Sequence, residues 1–342
     1  MTQPATIETR GSDFARLSRK IAEAGLLSRK PVYYSIRLGL AGLAYAGGWA
    51  AFVLIGDSWW QMALALFLAI AFAQVALVAH DLAHRQVFRQ RKPSEIAGRL
   101  TGNLMIGMGY GWWSDKHSRH HANPNHEDHD PDVSPAALVW SADQALRSKG
   151  LPRFIGRRQA FLFFPLLTLE GWNLHVGSFG SLVKPHMKRR WLEGALLLTH
   201  FAAYFAVIFA VLPVGKAVVF VLLHQAFFGI YLGSTFAPNH KGMPVLTAKD
   251  NLDFLRKQVL TSRNVTGGWM ITTTLGGLNF QIEHHLFPNM PTPNLRKAVP
   301  IVKAHCAELG IPYVETSLIG SYRQALRHMH EIGRPLRAKT AA

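Results

Sequence analysis

Four long apolar segments alternate with polar, mainly basic sequence. They lie at about residues 33–56, 59–79, 194–212 and 217–237. Each is close to the roughly 20 residues that a helix needs to cross a bilayer. They form two pairs, and the links within the pairs, residues 57–58 and 213–216, leave room only for a tight helical hairpin. The pattern predicts an all-α integral membrane protein with four transmembrane helices arranged as two hairpins.

The polar segments carry most of the charge, and its distribution predicts an orientation. The chain has 37 Lys and Arg against 20 Asp and Glu, a formal net charge of +17. The hairpin links contain one basic residue, Lys216, whereas the N-terminal arm, residues 81–190 and residues 238–342 are rich in Lys and Arg. By the positive-inside rule these three parts are cytoplasmic. We therefore expect residues 1–342 to form a single domain with a helical cytoplasmic cap, in a membrane of the bacterial cytoplasmic type. The basic excess then requires no nucleic-acid partner.

Shorter apolar patterns predict parts of the cap. Phe14, Leu17 and Ile21 recur at helical spacing among basic residues, which indicates an amphipathic helix on the membrane surface. Residues 100–113 and 159–172 are apolar but too short or too broken to span, so we expect re-entrant or surface helices there.

Histidine is concentrated in three short groups whose spacing suits metal ligation. The groups are His80 with His84, His117 with His120 and His121, and Gln281 with His284 and His285. Separations of three and four residues bring side chains to one helix face. A lone pair four residues apart is expected about once by chance in a chain with this histidine content. Three such groups, all on segments predicted to form the cap, indicate a metal site rather than solvated surface histidines.

The remaining histidines give weaker signals. His240 follows the fourth apolar segment at the depth of the first group, so we expect it to be a further ligand, with a loop histidine as the alternative. His200 and His224 lie inside the third and fourth segments and are expected to pack or hydrogen-bond within the bundle. His126 and His129 lie in an acidic loop and are expected beside the ligands or in solvent.

The donor set narrows the choice of metal. Seven or eight imidazoles are too many for one ion and suit two. Cys306 is the only cysteine and the sequence has no His-Glu-x-x-His motif, so the common zinc patterns are absent. Imidazole binds iron, copper and zinc alike. Two redox-active irons beside hydrocarbon would suit oxygen activation on a lipid chain. A metal transporter is the remote alternative. It would need ligands near the bilayer midplane, whereas the three histidine groups lie on segments predicted to form the cap.

The sequence around these groups resembles a known family. Residues 279–288, NFQIEHHLFP, resemble the third histidine box of the membrane fatty-acid desaturases, a family of di-iron proteins. Trp113, residues 116–121 and residues 131–133 are also similar to that family, and the match covers nearly the whole chain. With glutamine in its first position, the third box resembles that of the front-end desaturases. These enzymes often insert a double bond between an existing one and the carboxyl end.

The resemblance implies an activity, cofactors and partners. Two irons and dioxygen would convert neighbouring methylenes of a long acyl chain into a cis double bond, with two electrons from a carrier. The irons would be held by His80, His84, His117, His120, His121, His240, His284 and His285. The substrate would be an acyl group on CoA, a carrier protein or a membrane lipid. The nearest alternative in the di-iron superfamily is a hydroxylase or ketolase of lipid, alkane, sterol or carotenoid, against which the glutamine-led box argues.

Two departures from the family affect these expectations. Many eukaryotic front-end desaturases carry a fused cytochrome b5 domain with a His-Pro-Gly-Gly motif, which this sequence lacks. Electrons are therefore expected from a separate donor such as ferredoxin, rubredoxin or cytochrome b5 with its reductase. Similar acyl-CoA desaturases place an asparagine ligand one helical turn before the extra histidine, where this chain has Phe236.

Polar and aromatic residues near the boxes complete the predicted site. Ligand imidazoles need hydrogen-bond acceptors. The candidate acceptors, for each of which a surface or capping role is the alternative, are Asp81, Asp115, Asp132, Glu170 and Glu283. Gln281 is a candidate weak ligand or water-positioning group. We expect Tyr110, Trp112 and Trp113 to line a substrate tunnel, with an interfacial aromatic belt as the alternative.

Overall fold

The computed structural model describes residues 11–185 and 187–337, and the regular secondary structure in this part of the chain is almost entirely helical. In chain order the helices are α1 (Gly11–Glu23), α2 (Pro31–Ile55), α3 (Gln61–Ala83), α4 (Arg91–Arg99), α5 (Tyr110–Ala122), α6 (Ala142–Arg147), α7 (Gly150–Gly156), α8 (Gln159–Leu167), α9 (Glu170–Leu182), α10 (Arg190–Val211), α11 (Val214–His240), α12 (Phe254–Leu260), α13 (Trp269–Thr274), α14 (Gln281–Leu286), α15 (Thr292–Glu308), α16 (Leu318–Ile332) and α17 (Arg334–Arg337). A π-helical turn, Leu100–Met105, continues α4. Two short strands, β1 (Asn264–Thr266) and β2 (Glu315–Ser317), pair in parallel.

Four helices, α2, α3, α10 and α11, are long and apolar enough to cross a membrane. This confirms the predicted all-α fold with four spanning helices. Two of them run beyond the apolar segments, because α3 continues to Ala83 and α11 continues to His240. The additional turns carry His80 and His240 out of the apolar layer, so these histidines stand at the end of the bundle that faces the cap.

Helices α3 and α11 form the inside of the bundle, and α2 and α10 form its outside. In their most apolar stretches, 61% of α3 and 44% of α11 are buried within the protein, against 11% and 22% for α2 and α10. Phe72 of α3 lies at the centre, where its ring contacts Tyr45 of α2 and Phe228 of α11. The outer helices expose large apolar side chains such as Leu54, as expected of surfaces that meet lipid.

The N-terminal helix forms, but its apolar face does not lie on a membrane surface as the sequence pattern suggested. In α1, Leu17 and Ile21 are fully buried in an apolar cluster that includes Leu255 of α12 and Val302 of α15. The expectation was wrong because the matching apolar surface comes from residues more than two hundred positions away, which periodicity within α1 cannot reveal.

The two broken apolar segments pack against the spanning helices without being long enough to span. Residues 100–113 form the π-helical turn, a loop and the first turn of α5. Residues 159–172 form α8, with Pro165 inside it, and the start of α9. Helices α8 and α9 pack against α11, and the π-helical turn packs against α3 and α10. These segments therefore surround the end of the bundle where His80 and His240 stand.

Candidate metal centre

The structure brings the eight predicted ligands together at one end of the bundle, in two groups. The first histidine group consists of His80, His84, His117, His121 and His284. The second histidine group consists of His120, His240 and His285. Within each group, one ring nitrogen of every member lies within 4.8 Å of those of the others. Two compact groups are the arrangement expected for two adjacent metal ions, and the ligand roles themselves stay a prediction.

Helix α5 carries members of both groups, and its beginning is fixed by polar contacts from two other elements. The Tyr110 backbone N–H donates to the Asn103 side-chain oxygen at 2.9 Å. The Gly111 N–H donates to the Glu193 carboxylate, with both oxygens at 3.2 Å. Glu193 is fully buried and also pairs with Arg99 at 2.9 Å. These contacts satisfy N–H groups that every helix start leaves without partners, and they attach α5 to α4 and α10.

The third box lies on α14, a helix of only six residues that is held by its surroundings. The Ile282 N–H donates to the Asn264 side-chain oxygen at 3.0 Å. Glu283 accepts hydrogen bonds from Asn264 at 2.8 Å and from the Tyr313 hydroxyl at 2.6 Å. Burial raises the pKa of Glu283 to about 7, although these two donors oppose the shift. Glu283 therefore orients α14 and does not contact an imidazole, in contrast to the acceptor role considered for it.

The second histidine group meets the requirement that each ligand imidazole has its outer nitrogen engaged. His120 Nδ1 lies 2.9 Å from the Asp130 carboxylate, and His285 Nδ1 lies 2.9 Å from the side-chain oxygen of Gln258. His240 Nδ1 lies 3.0 Å from the Thr261 carbonyl oxygen. With hydrogen on Nδ1, each ring presents the lone pair of Nε2 to the centre of the group.

Several ring nitrogens that face the centres of the two groups have no adequate protein partner, and this observation tests the fit of a metal. His80 Nε2, His285 Nε2 and both nitrogens of His284 are buried without a hydrogen-bond partner in the described part of the chain. His117 Nε2 lies 2.9 Å from His84 Nε2 and 3.0 Å from His121 Nε2. Buried polar atoms without partners are costly. Lone pairs that converge in this way fit metal ions.

The protonation state also suits ligation. Burial, together with the neighbouring imidazoles, lowers the pKa of His117 and of His121 well below its usual value. The same causes lower the pKa of His84, His284 and His285. These rings are therefore neutral at physiological pH, and neutral imidazole is the form that binds metals. The acidic residues nearby supply the negative charge that a pair of cations needs.

Two of the predicted acceptors lie beside ligands. Asp81 pairs with Arg37 at 2.6 Å and lies 3.4 Å from His80 Nδ1. Asp132 forms an ion pair with Lys116 and lies 3.5 Å from His120 Nδ1.

The remaining predicted carboxylates contact other partners. Asp115 is exposed and pairs with Arg119 at 3.3 Å, on the outer side of α5. Glu170 accepts a hydrogen bond from Asn173 at 3.1 Å and lines the cavity described below. Neither contacts a ligand imidazole.

Gln281 lies against the second histidine group. Its Nε2 is 2.9 Å from His240 Nε2, and its Oε1 accepts from Asn239 at 3.3 Å. Asn239 also donates to the Leu278 carbonyl at 3.0 Å, so the amide pair is anchored to the loop before α14. This position is close enough for Gln281 to ligate or to orient a water, and its role stays a prediction.

Sequence reasoning missed three supports of the second histidine group: Asp130, Gln258 and the Thr261 carbonyl. Gln258 also donates through Nε2 to the His121 carbonyl at 2.9 Å, so it joins α12 to the second and third boxes. The only signal for Asp130 was its place in the acidic loop after α5. A glutamine and a backbone carbonyl give no signal in a single sequence.

An apolar cavity of about 230 Å³ opens beside the histidines. Among its lining residues are His80, His117, His120, His240, Gln281, Phe163, Leu167, Leu174, Leu232 and Phe236. Trp113 lines it and stacks on His117, with ring centroids 4.4 Å apart. Tyr110 and Trp112 line a separate polar cleft on the outer side of α5. The tunnel assignment of the three aromatic residues stays a prediction, and Phe236 is a wall residue.

The four other histidines singled out in the sequence are not members of either group. His200 Nδ1 lies 2.9 Å from the Leu104 carbonyl, and His224 Nδ1 lies 3.0 Å from the Tyr204 hydroxyl, both within the bundle. His126 and His129 contact each other in the loop after α5, with ring centroids 4.5 Å apart.

The fold and the site define a class of protein: an integral membrane helical bundle with two histidine groups at one end that could hold metal ions. Comparison with known families identifies it further. The family model described as fatty acid desaturase matches residues 57–317. The chain belongs to the fatty acid desaturase family, as its histidine boxes suggested.

The individual relatives of this chain are named as fatty-acid or acyl-lipid desaturases. The chain is 29% identical over 329 residues to an acyl-lipid (9-3)-desaturase of Physcomitrium patens, covering 94% of this chain and 62% of that protein. It is 29% identical to an acyl-lipid 8-desaturase of Rebecca salina, covering 93% and 74%. It is 28% identical to delta(8)-fatty-acid desaturase 2 of Arabidopsis thaliana, covering 88% and 70%. The chain thus spans less than two thirds of the moss protein.

Proposed function

We propose that the protein is a fatty-acyl desaturase that introduces a cis double bond into a long acyl chain. The observation that carries this proposal is the junction of two compact histidine groups with an apolar cavity at the end of a membrane-spanning bundle. The eight histidines would hold two irons. Iron bound there would supply the reduction of dioxygen that drives removal of two hydrogens, as in other proteins where the cofactor carries the difficult chemistry.

The chain's own residues would hold the imidazoles and the acyl chain in position and exclude water. Asp130, Gln258 and Thr261 fix the orientation of three imidazoles through Nδ1. The cavity walls would align one pair of methylenes with the histidine groups and keep water away from them. The net reaction is an alkane segment, dioxygen, two electrons and two protons giving an alkene and two waters. The electrons would come from a separate donor protein.

Orientation and substrate position form the second part of the proposal. The basic flanks of the spanning helices support a cytoplasmic cap under the positive-inside rule. The glutamine at position 281 and the delta(8) names of relatives support front-end desaturation, in which the new double bond lies near the carboxyl end. One domain over residues 1–342 is proposed, of which 1–10, 186 and 338–342 lie outside the described residues.

Product analysis tests the proposal. A host that expresses the chain with an electron donor should accumulate an acyl product two mass units lighter than its precursor. His121→Ala and His285→Ala should each abolish that product, whereas His330→Ala, which changes an exposed histidine on α16, should retain it. A product sixteen mass units heavier would identify a hydroxylase instead. Full activity of either ligand variant would contradict the site.

A further inference from the structure

The cavity beside the histidines has two chemically different ends. Its bundle end is walled by members of the central apolar cluster, among them Ala76, Met108, Leu174 and Leu232. Its cap end is walled by a different cluster, among them Trp140, Phe163 and Leu167. Two lysines, Lys116 and Lys241, line the cavity as well. The Lys241 ammonium lies 4.0 Å over the ring of Trp140, so the cationic side is the cap end.

Both lysines contact the same residue, Asp132. Lys116 forms an ion pair with the Asp132 carboxylate, and Lys241 Nζ donates to the Asp132 backbone carbonyl at 2.9 Å. The other carboxylate oxygen of Asp132 lies 3.5 Å from His120 Nδ1. Both ammonium groups are therefore separated from a ligand of the second histidine group by a single residue, Asp132.

This end of the cavity is also the accessible one. The side chains of Lys116 and Asp132 are 32% and 33% exposed, whereas apolar wall residues at both ends, such as Leu232 and Phe163, are buried, so solvent reaches the cavity beside Lys116 and Asp132. Within residues 11–185 and 187–337, the Lys241 ammonium donates one hydrogen bond, and an ammonium has three N–H groups to donate. Glu170, the other acid on this wall, has its pKa raised by burial, so it offsets the lysines less than an exposed glutamate would.

We propose that Lys116 and Lys241 bind the carbonyl end of the acyl substrate and thereby set the position of the double bond. The ester or thioester oxygen accepts hydrogen bonds from the ammonium groups, and the methyl end extends past the histidines into the apolar bundle end. Because a single residue separates the lysines from His120, only a short run of methylenes separates the anchored carbonyl from the metal centre. This geometry produces a double bond near the carboxyl end, and it rests on the proposed desaturase function.

The first test reads double-bond position in full-length protein. Lys241→Met and Lys116→Gln are expressed in a host supplied with linoleate, and product isomers are resolved by mass spectrometry. The wild type and the control Lys249→Met, which changes an exposed loop lysine, should give one isomer. The two cavity variants should give a mixture of positions at unchanged iron content. Formation of the wild-type isomer alone by both variants would overturn the proposal.

A second test covers the case in which the variants make no product. Purified wild-type protein in nanodiscs is treated with a lysine-acylating reagent, and modification is read residue by residue. One arm contains linoleoyl-CoA and the other contains dilinoleoyl-phosphatidylcholine, which distinguishes the two acyl carriers. The acyl carrier that the site accepts should slow modification of Lys116 and Lys241 about tenfold when about nine tenths of the protein is occupied, because bound lysines are shielded from the reagent, while Lys249 is unaffected. Equal modification in both arms and in a substrate-free control would overturn the proposal.

The two tests separate this inference from the proposed function. If the wild type forms no alkene, the desaturase proposal fails, and the protection experiment still reports whether an acyl carbonyl binds at the lysines. If alkene forms with an unchanged position in the variants and the lysines are unprotected, only the anchor is wrong.

Discussion

At the residue scale, the site depends on which nitrogen of each imidazole is free. Spacing in the sequence identified the histidines, because residues three and four apart on a helix share a face. It could not identify what holds them, because Gln258 and His285 are 27 residues apart and Gln258 and His121 are 137 apart. Such contacts form only when the chain folds. The carboxylates were partly predictable, since Asp81 and Asp132 lie near boxes in the sequence.

Gln258 provides the clearest prediction at this scale. Gln258→Met removes the acceptor for His285 Nδ1 and the donor to the His121 carbonyl, so His285 loses its fixed orientation. Loss of such a partner lowers metal affinity by about 10–100-fold. We therefore expect the folded variant to lose iron faster than the wild type in the presence of a chelator, measured by elemental analysis over time.

The matched control is another buried glutamine. Gln159 is 1% exposed. It bonds the Val139 backbone and the Met329 carbonyl and neither of the two histidine groups. Gln159→Met should lower stability without changing the rate of iron loss from folded protein. Equal iron loss from both variants would mean that Gln258 acts only through general packing.

At the element scale, hydropathy predicted the four spanning helices, because their length and apolarity are local properties. It did not predict the surroundings of α5. In the sequence Glu193 is a charged residue at the edge of the third apolar segment, but the structure buries it completely against Arg99, Asn103 and the Gly111 N–H of α5. Burying a carboxylate costs free energy unless it is paired with a cation and hydrogen-bonded. Here the partners fix the helix that carries His117, His120 and His121.

Removal of this carboxylate should destabilise the protein strongly. Glu193→Leu leaves the Arg99 guanidinium and the Gly111 N–H without their buried acceptor, and breaking a buried pair from one side costs about 3–5 kcal/mol. Glu193→Gln should cost less, because the amide oxygen can still accept from Gly111. Thermal unfolding in detergent measures both effects.

An exposed ion pair supplies the comparison for Glu193. Lys216 and Asp57 pair at 2.7 Å in the short hairpin links, and the Asp57 side chain is 54% exposed. Exposed pairs contribute about 0–1 kcal/mol, so Asp57→Asn should shift the unfolding midpoint little. A shift as large as that of Glu193→Leu would contradict the structural role assigned to Glu193.

At the scale of the whole molecule, the sequence predicted that the boxes converge, because each flanks or lies beyond a spanning helix on the same side. The structure adds that α3 and α11, the two buried helices, extend past the predicted apolar segments. Helix α3 delivers His80 and, at its end, His84, and α11 delivers His240, while α5 and α14 deliver the other five histidines. The cavity between bundle and cap, with its apolar and cationic ends, could not be predicted from the sequence, because its walls come from several helices, among them α3, α8, α9 and α11.

The central claim is that the two histidine groups form one centre for two irons. The most direct test is the metal content of full-length wild-type protein, purified in detergent or nanodiscs from iron-supplemented cells and analysed for iron, zinc and copper against protein concentration. We predict about two irons per chain, with a marked loss of iron in His121→Ala and His285→Ala while the protein stays folded. Stoichiometric zinc, or metal-free protein that nevertheless desaturates, would contradict the account.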